Sequence, residues 1–273
     1  MPEVPASINI KQPASPCFSS VYGPVRSWRV GMSLGIDPIC LTSICSFNCT
    51  YCQLGFIQVR INERRVFVSA DKVLADLRES RWKEADILTI SGSGEPTLAA
   101  NLREIVQVCK TYTRKPVLAL TNGTLLHLPE VQEDLDLADR VFVKLDAATE
   151  EAFLRINRPV PGVTLAGIVE ATRQFRRRYK GFLGIQTMFT RVNVDQVKDF
   201  ARLLSIIGPD EVQLNTPTRP YPSQWVVQTR GSHDGVDYPA RPLKRISREE
   251  AERVEEELRA LTGLKILSVY GDN

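Results

Sequence analysis

Three of the six cysteines of this 273-residue chain fall within eight residues, in Cys45-Ser-Phe-Asn-Cys49-Thr-Tyr-Cys52. The C-x3-C-x2-C spacing gathers three thiols in one loop. Three thiolates can hold three corners of a cubane [4Fe-4S] cluster and leave the fourth iron open to an exogenous ligand. An open iron is a reactive iron. Two plainer readings stand beside this one. A zinc knuckle asks for four Cys or His ligands, and the two histidines, His127 and His233, lie far along the chain. A four-thiol electron-transfer or redox-sensing centre would recruit Cys40 as its fourth ligand. Cysteines clustered in this way read as metal binding or catalysis before disulfides in a reducing compartment.

Other polar residues sit where β-rich runs end. Gly92-Ser93-Gly94-Glu95-Pro96 follows one such run, Thr121-Asn122-Gly123 ends a second, Lys144-Leu145-Asp146 a third, and Asn215-Thr216 another, with Gln186 and Thr187 inside the run between. Glycines let backbone approach a ligand closely, and strand-end carbonyls with the Glu95 carboxylate can accept hydrogen bonds from an ammonium group. The Asp146 carboxylate can take two hydrogen bonds from a diol, and Lys144 can meet an anion or pair with Asp146. Taken singly, each motif also reads as a turn former or helix cap. In parallel α/β sheets and barrels, ligands bind outside the carboxyl ends of the strands, so the motifs should converge on one face with the cysteine loop.

The elements that must position them follow from periodicity. Residues 29–36, 87–91, 116–121, 141–145, 183–189 and 211–215 read as strands, and 71–80, 100–113, 129–138, 163–178 and 195–206 as amphipathic helices. Alternation of this kind gives an α/β fold with a parallel sheet and right-handed crossovers, either an open doubly wound sheet or a whole or partial barrel. Residues 1–28 carry five prolines and read as an extended arm, 29–216 as the core domain, and 217–273 as a loop-rich C-terminal segment. In that last segment Ser247 and Glu250 form a capping box that predicts a helix over 247–262, and 265–269 predicts a closing strand.

Lys plus Arg number 35 against 32 Asp plus Glu, a balance too even to mark the whole surface for nucleic acid or an anionic membrane. No apolar run approaches the ~20 residues that span a bilayer, and the N-terminal stretch lacks a secretory h-region. The expectation is a cytoplasmic protein. Among single residues, Arg158 and Arg219 are candidates for anionic substrate contacts and Trp225 for base stacking. His233 reads as an exposed loop histidine, Cys109 as core on a helix stripe, and the basic run Arg176-Arg177-Arg178 as a solvated helix end. Cys17 and Cys40 have no assigned role.

The cysteine motif, with Tyr51 as the aromatic before Cys52, resembles the signature of the radical S-adenosylmethionine (radical SAM) enzymes, and the resemblance covers roughly residues 29–220. It implies a partial (β/α)6 TIM-like barrel, a [4Fe-4S] cluster on Cys45, Cys49 and Cys52, and SAM chelated by the open iron. It implies that Tyr51, Gly94, Glu95, Asn122 and Asp146 help hold SAM, Gly92–Pro96 standing for the family's Gly-Gly-Glu-Pro-like motif with Ser93 in place of one glycine. The chemistry implied is reductive cleavage of SAM to a 5'-deoxyadenosyl radical that abstracts hydrogen from a substrate, fed by a low-potential electron donor such as flavodoxin or ferredoxin. Tyr22-Gly23-Pro24-Val25, Gly31–Asp37, Tyr51–Gly55, Ile156-Asn157-Arg158-Pro159 and Leu214–Pro220 further resemble stand-alone Fe-S oxidoreductases related to the wybutosine-synthesising tRNA enzymes. That relation permits a tRNA base as substrate, beside a peptide. Those enzymes carry a second cysteine triad ahead of the motif, whereas here Cys17 and Cys40 stand alone.

Overall fold

The computed structural model describes residues 18–217, 221–225, 230, 238–241, 243 and 245–270. Its centre is an eight-stranded sheet. The strands are β1 (Val21–Ser27) and β2 (Gly31–Ile36), then β5 (Ile87–Ile90), β6 (Val117–Thr121), β7 (Arg140–Lys144), β8 (Phe182–Met188), β9 (Glu211–Asn215) and β12 (Ile266–Ser268), in the order β1-β2-β5-β6-β7-β8-β9-β12. Between β2 and β5 lie the two-residue strands β3 (Ile44–Cys45) and β4 (Val59–Arg60). After β9, β10 (Tyr221–Pro222) pairs with β11 (Ala240–Arg241). All neighbours in the large sheet are parallel except β1, which runs antiparallel to β2 at one edge. Six parallel strands in sequential order with β1 and β12 added at the two edges, and no pairing between those edges among the described residues, make a curled partial barrel. The topology thereby selects the partial (β/α)6 barrel over the open doubly wound sheet.

The crossovers are α1 (Ala70–Glu79), α2 (Leu102–Thr113), α3 (Pro129–Leu135), α4 (Glu150–Ile156), α5 (Leu165–Arg178), α6 (Val197–Ile207) and α7 (Arg248–Thr262). Ser69, Thr149 and Thr164 cap α1, α4 and α5, each side-chain oxygen accepting from a backbone N–H of the first turn. The capping box of α7 is formed as read, with the Ser247 hydroxyl accepting from Glu250 N and the Glu250 carboxylate from Ser247 N. Apolar stripes such as Leu102, Ile105, Val106 and Cys109 of α2 are fully buried against the outer face of the sheet. Each large aliphatic side chain so buried contributes about 1.5–3 kcal/mol. A smaller cluster of Ile87, Leu118 and Phe142 fills the bottom of the inner face. Because both faces are covered, the strands read as continuous apolar runs.

Two elements depart from the sequence reading. Residues 21–27, counted with the extended arm, form β1. Pro24 argues against an interior strand, but an edge strand with a register shift between Tyr22 and Val25 accommodates it. The seven-residue α4 escapes a periodicity search because it spans only two turns. β12, the predicted closing strand, extends the main sheet beside β9. Among the described residues no helix is long and apolar enough to cross a membrane. Cys17, Arg219 and His233 lie outside the described residues.

Candidate functional site

The cysteine loop leaves the carboxyl end of β2. Asp37 turns the chain there, its Oδ1 accepting from the N–H groups of Ile39 and Cys40 at 2.9 Å each. β3 then runs alongside β4 and bridges Gly94, with Ile44 N donating to Ser93 O (2.9 Å) and Glu95 N to Ile44 O (3.0 Å). A Cβ on Gly94 would overlap the Ile44 carbonyl oxygen, so close backbone approach requires glycine at this position. The following residues are zipped to the segment after α4: Asn48 N donates to Asn157 O and Thr50 N to Ile156 O (2.9 Å each), and Val160 N to Ser46 O (2.8 Å). Arg60 adds two bonds to the Arg158 and Pro159 carbonyls. The Ile156-Asn157-Arg158-Pro159 stretch is therefore a docking rail for the cysteine loop.

Cys45, Cys49 and Cys52 are half-buried and free. Burial pushes the Cys45 thiol well up, helped by the charges of Glu95 and Cys49. Burial, then Asp146 and Cys52, raise Cys49 to about 12. Cys52 is raised by burial and relieved by the Leu54 N–H and the charges of Lys144 and Arg241. The three thiols thus share one electrostatic neighbourhood. Cys40 sits in another, raised to about 11 by burial and influenced by Asp37, Arg230, Lys72 and Asp76. N–H groups converge on the sulfurs: Phe47 N on Cys45 at 3.3 Å, Asn122 Nδ2 on Cys45 at 3.6 Å, and Asn157 Nδ2 on Cys49 at 3.4 Å. Donors around thiolate sulfur fit a cluster, whose charge such bonds stabilise. His127 is exposed, with Nδ1 3.0 Å from the Thr124 carbonyl, and takes no part in this group.

The two acidic residues singled out in the sequence are both 2% exposed and both engaged. Glu95 Oε1 accepts from Thr97 N, Thr97 Oγ1 and Thr121 Oγ1 (3.1, 2.6 and 2.6 Å), and Oε2 from Asn122 N (2.7 Å). Burial nevertheless holds its carboxyl above the ordinary range. Asp146 accepts from the Tyr51 hydroxyl, Asn157 Nδ2 (2.7 Å) and Met188 N (2.8 Å), and pairs with Lys144 Nζ (3.0 Å). Its expected role as a ribose acceptor meets a carboxylate that already holds four protein donors. Tyr51 lies under the Lys144 ammonium, 5.1 Å from its ring centre. Asn122 is likewise committed, donating to Ser46 Oγ and accepting from Thr124.

On the inner face, sheet register sets Lys144, Gln186 and Gln213 side by side, and Gln186 donates to Gln213 at 2.9 Å. Asn215 accepts from Thr216 N, and the Thr216 hydroxyl bonds Tyr270. Arg158 is exposed and Trp225 half-buried. Arg191 does not join the site, for it bridges to Glu250 and the Arg245 carbonyl. The basic run is a helix end, Arg176 paired with Asp210 and Arg178 with Asp136. Sequence reasoning assigned no role to Ser46, Thr97, Asn157, Asn193 or Arg230. Arg230, in a stretch with no periodicity, forms a buried pair with Asp37 (2.6 Å), and the same Asp37 oxygen holds Ser93 N and Oγ. The C-terminal segment also rests on the cysteine loop, where a Cβ on Gly55 would run into Gln224 and Pro222 backbone.

Comparison with known proteins agrees with this fold. The family model of the radical SAM superfamily matches residues 39–204. A UPF0026 protein of Synechocystis sp. is 47% identical over 231 residues, 84% of this chain and 87% of that one. Among solved structures, TYW1 with a lysine-pyruvate adduct bound superposes with a TM-score of 0.62 at 16% identity, covering 87% of this chain and 76% of that one. Streptococcus suis SuiB bound to S-adenosylmethionine gives 0.60 at 14% identity, covering 83% and 48%.

Proposed function

The chain belongs to the radical SAM superfamily, and from that premise we propose that Cys45, Cys49 and Cys52 hold a [4Fe-4S] cluster whose open iron binds SAM. The cluster, when reduced by a low-potential donor such as flavodoxin or ferredoxin, supplies the electron that cleaves SAM to methionine and a 5'-deoxyadenosyl radical. The observation that carries the reading is the convergence of three thiols, ringed by N–H donors, on the carboxyl ends of the parallel strands.

The chain's own residues do the positioning. Glu95 ties the Gly92–Pro96 turn to the end of β6 through Thr121 and Asn122. Asp146 ties the cysteine loop, through Tyr51, to β8 through Met188. In this reading Gly94, Glu95, Asn122, Tyr51 and Asp146 shape the SAM side of the site, with the two carboxylates acting as anchors. Lys144, partly exposed beside them, is the cation available to a carboxylate. The substrate approaches across the inner face past Gln186 and Asn215. Because the sheet does not close, its lateral side can admit a bulky molecule, and a tRNA base is the substrate class we place first, ahead of a peptide.

The test is anaerobic reconstitution with iron and sulfide, reduction with dithionite, and chromatographic detection of 5'-deoxyadenosine in the presence of SAM. Product from the wild type and none from Cys49→Ala supports the reading. A fully loaded, reducible wild-type cluster that leaves SAM intact refutes it. Bulk tRNA against peptide extracts, scored by acceleration of 5'-deoxyadenosine formation, then decides the substrate class.

A further inference from the structure

Asn157, at the C-terminal end of α4, is 1% exposed, yet its side-chain Oδ1 has no hydrogen-bond partner among the described residues. The rest of the residue is fully used. Its N–H donates to Phe153 O and its carbonyl accepts from Asn48 N, both at 2.9 Å. Its Nδ2 reaches Asp146 Oδ2 at 2.7 Å and Cys49 Sγ at 3.4 Å. The amide orientation is fixed by chemistry, because an ionised carboxylate only accepts, so the NH2 must face Asp146 and a flip would set two oxygens together. Oδ1 is thus a buried acceptor left without a donor on the same amide whose NH2 faces Asp146. Buried acceptors without a donor are disfavoured and rare, and each asks for an explanation.

Resting on the radical SAM reading above, we infer that Asn157 joins the cluster to its co-substrate: the amide NH2 steadies the Cys49 sulfur and Oδ1 accepts a hydrogen bond from bound SAM. SAM carries donors of the required kind in its ammonium and ribose hydroxyls. Asn157 is a positioning residue with two separable halves. The donor half bears on the cluster, since hydrogen bonds to ligand sulfur stabilise the reduced, more negative state and raise the potential. The acceptor half bears on SAM affinity. The Asn48–Asn157 backbone bond places both halves on the rail that docks the cysteine loop.

The experiment compares wild type, Asn157→Leu and Asn157→Asp after anaerobic reconstitution, at matched iron and sulfide content. The midpoint potential is read by electron paramagnetic resonance during a redox titration, and SAM affinity by the change SAM makes in the spectrum of the reduced cluster. Asn157→Leu removes both halves: the ratio of reduced to oxidised cluster at the wild-type midpoint should fall about tenfold, equivalent to about 59 mV for a one-electron couple, and the SAM dissociation constant should rise at least tenfold. Asn157→Asp keeps a carbonyl oxygen of the same reach, its own carboxyl proton facing Asp146 because two carboxylates this close do not both ionise, and loses the N–H to sulfur, so the potential should still fall while SAM affinity stays within threefold. Wild-type values for both quantities in Asn157→Leu would overturn the inference. So would equal loss of SAM affinity in both variants, which marks a packing role. A wild-type cluster that binds no SAM removes the reading beneath it and the inference together.

Discussion

Replacing Gly94 with alanine separates two reasons for a glycine at this position. The sequence suggests glycine because backbone must approach a ligand; the fold supplies another reason, the bridge to β3. A Cβ at residue 94 would overlap the Ile44 carbonyl oxygen and lie 2.5 Å from its carbon and 3.1 Å from the Ile44 nitrogen, where ordinary contact begins near 3.4 Å. Since every colliding atom is backbone, Ile44 must retreat by about 1 Å or more, and no side-chain rotation relieves it. That movement breaks the bonds Ile44 N to Ser93 O and Glu95 N to Ile44 O. Two backbone bonds at ~1 kcal/mol each, plus ~1–3 kcal/mol of overpacking, give a loss of about 3–5 kcal/mol in the cluster-free protein. For a domain of this size that is a fall of roughly 5–9 °C in the unfolding midpoint. Cys45 follows Ile44 directly and moves with it, so iron uptake on reconstitution should drop as well. The assay is urea and thermal unfolding of the cluster-free wild type and Gly94→Ala, followed by iron content per chain. If Gly94→Ala unfolds within 1 kcal/mol of wild type, the bridge does not require the glycine and the reasoning fails, whatever happens to SAM.

Arg230→Met breaks a buried pair whose partners are 5% and 0% exposed; since Asp37 keeps three N–H donors and a hydroxyl, the loss should lie near the lower end of the roughly 3–5 kcal/mol range for such pairs. Thermal unfolding checks it, and a midpoint within 2 °C of wild type would contradict it. Cys40→Ala should leave iron and sulfide per chain unchanged after reconstitution, because the charges acting on Cys40 (Asp37, Arg230, Lys72 and Asp76) are not those acting on Cys45; loss of the cluster would restore the four-thiol reading. Burial raises the Tyr22 hydroxyl to about 12 from 10.0. Its contribution is whole below pH 10 and lost as pH rises toward 12, because the unfolded chain ionises first; the stability advantage of wild type over Tyr22→Phe, measured by urea unfolding, should therefore shrink by about 1.4 kcal/mol between pH 9 and pH 11.

Strands and long helices were legible because burial imposes a period on the sequence, and that period survives without knowledge of neighbours. β1 was not, since Gly23 and Pro24 interrupt a run whose extended state is stabilised only by pairing with β2. The cysteine triad was legible for a similar reason: its members lie close in sequence, and their chemistry depends on type and spacing. The partners that give the site its form are long-range. Tyr51 and Asp146 are 95 residues apart, Asn157 and Cys49 108, Arg230 and Asp37 193. No local pattern encodes such pairings, which exist only once the strands stand in order. Asp146 and Glu95 were correctly singled out as carboxylates at strand ends, while which donors would fill them was a question for topology alone.

The filled carboxylates bear on how the site meets its cofactors. An acidic residue beside three cysteines disfavours thiolates, and Glu95 and Asp146 do push Cys45 and Cys49 upward. Both spend most of their accepting capacity on donors within the protein, Asn122 N on Glu95 and Met188 N on Asp146 among them. Their value is that the loop is held in place before anything is bound, so ordering it does not weaken loading or SAM capture. A site built in this way should concentrate its unfilled valences on groups other than its anchors. Among the residues around the triad, Asn157 Oδ1 is such a group, and Lys144, 23% exposed with only part of its capacity spent on Asp146, is a second. One is an acceptor and the other a cation, the complements of an ammonium and a carboxylate. The amino-acid end of SAM presents both.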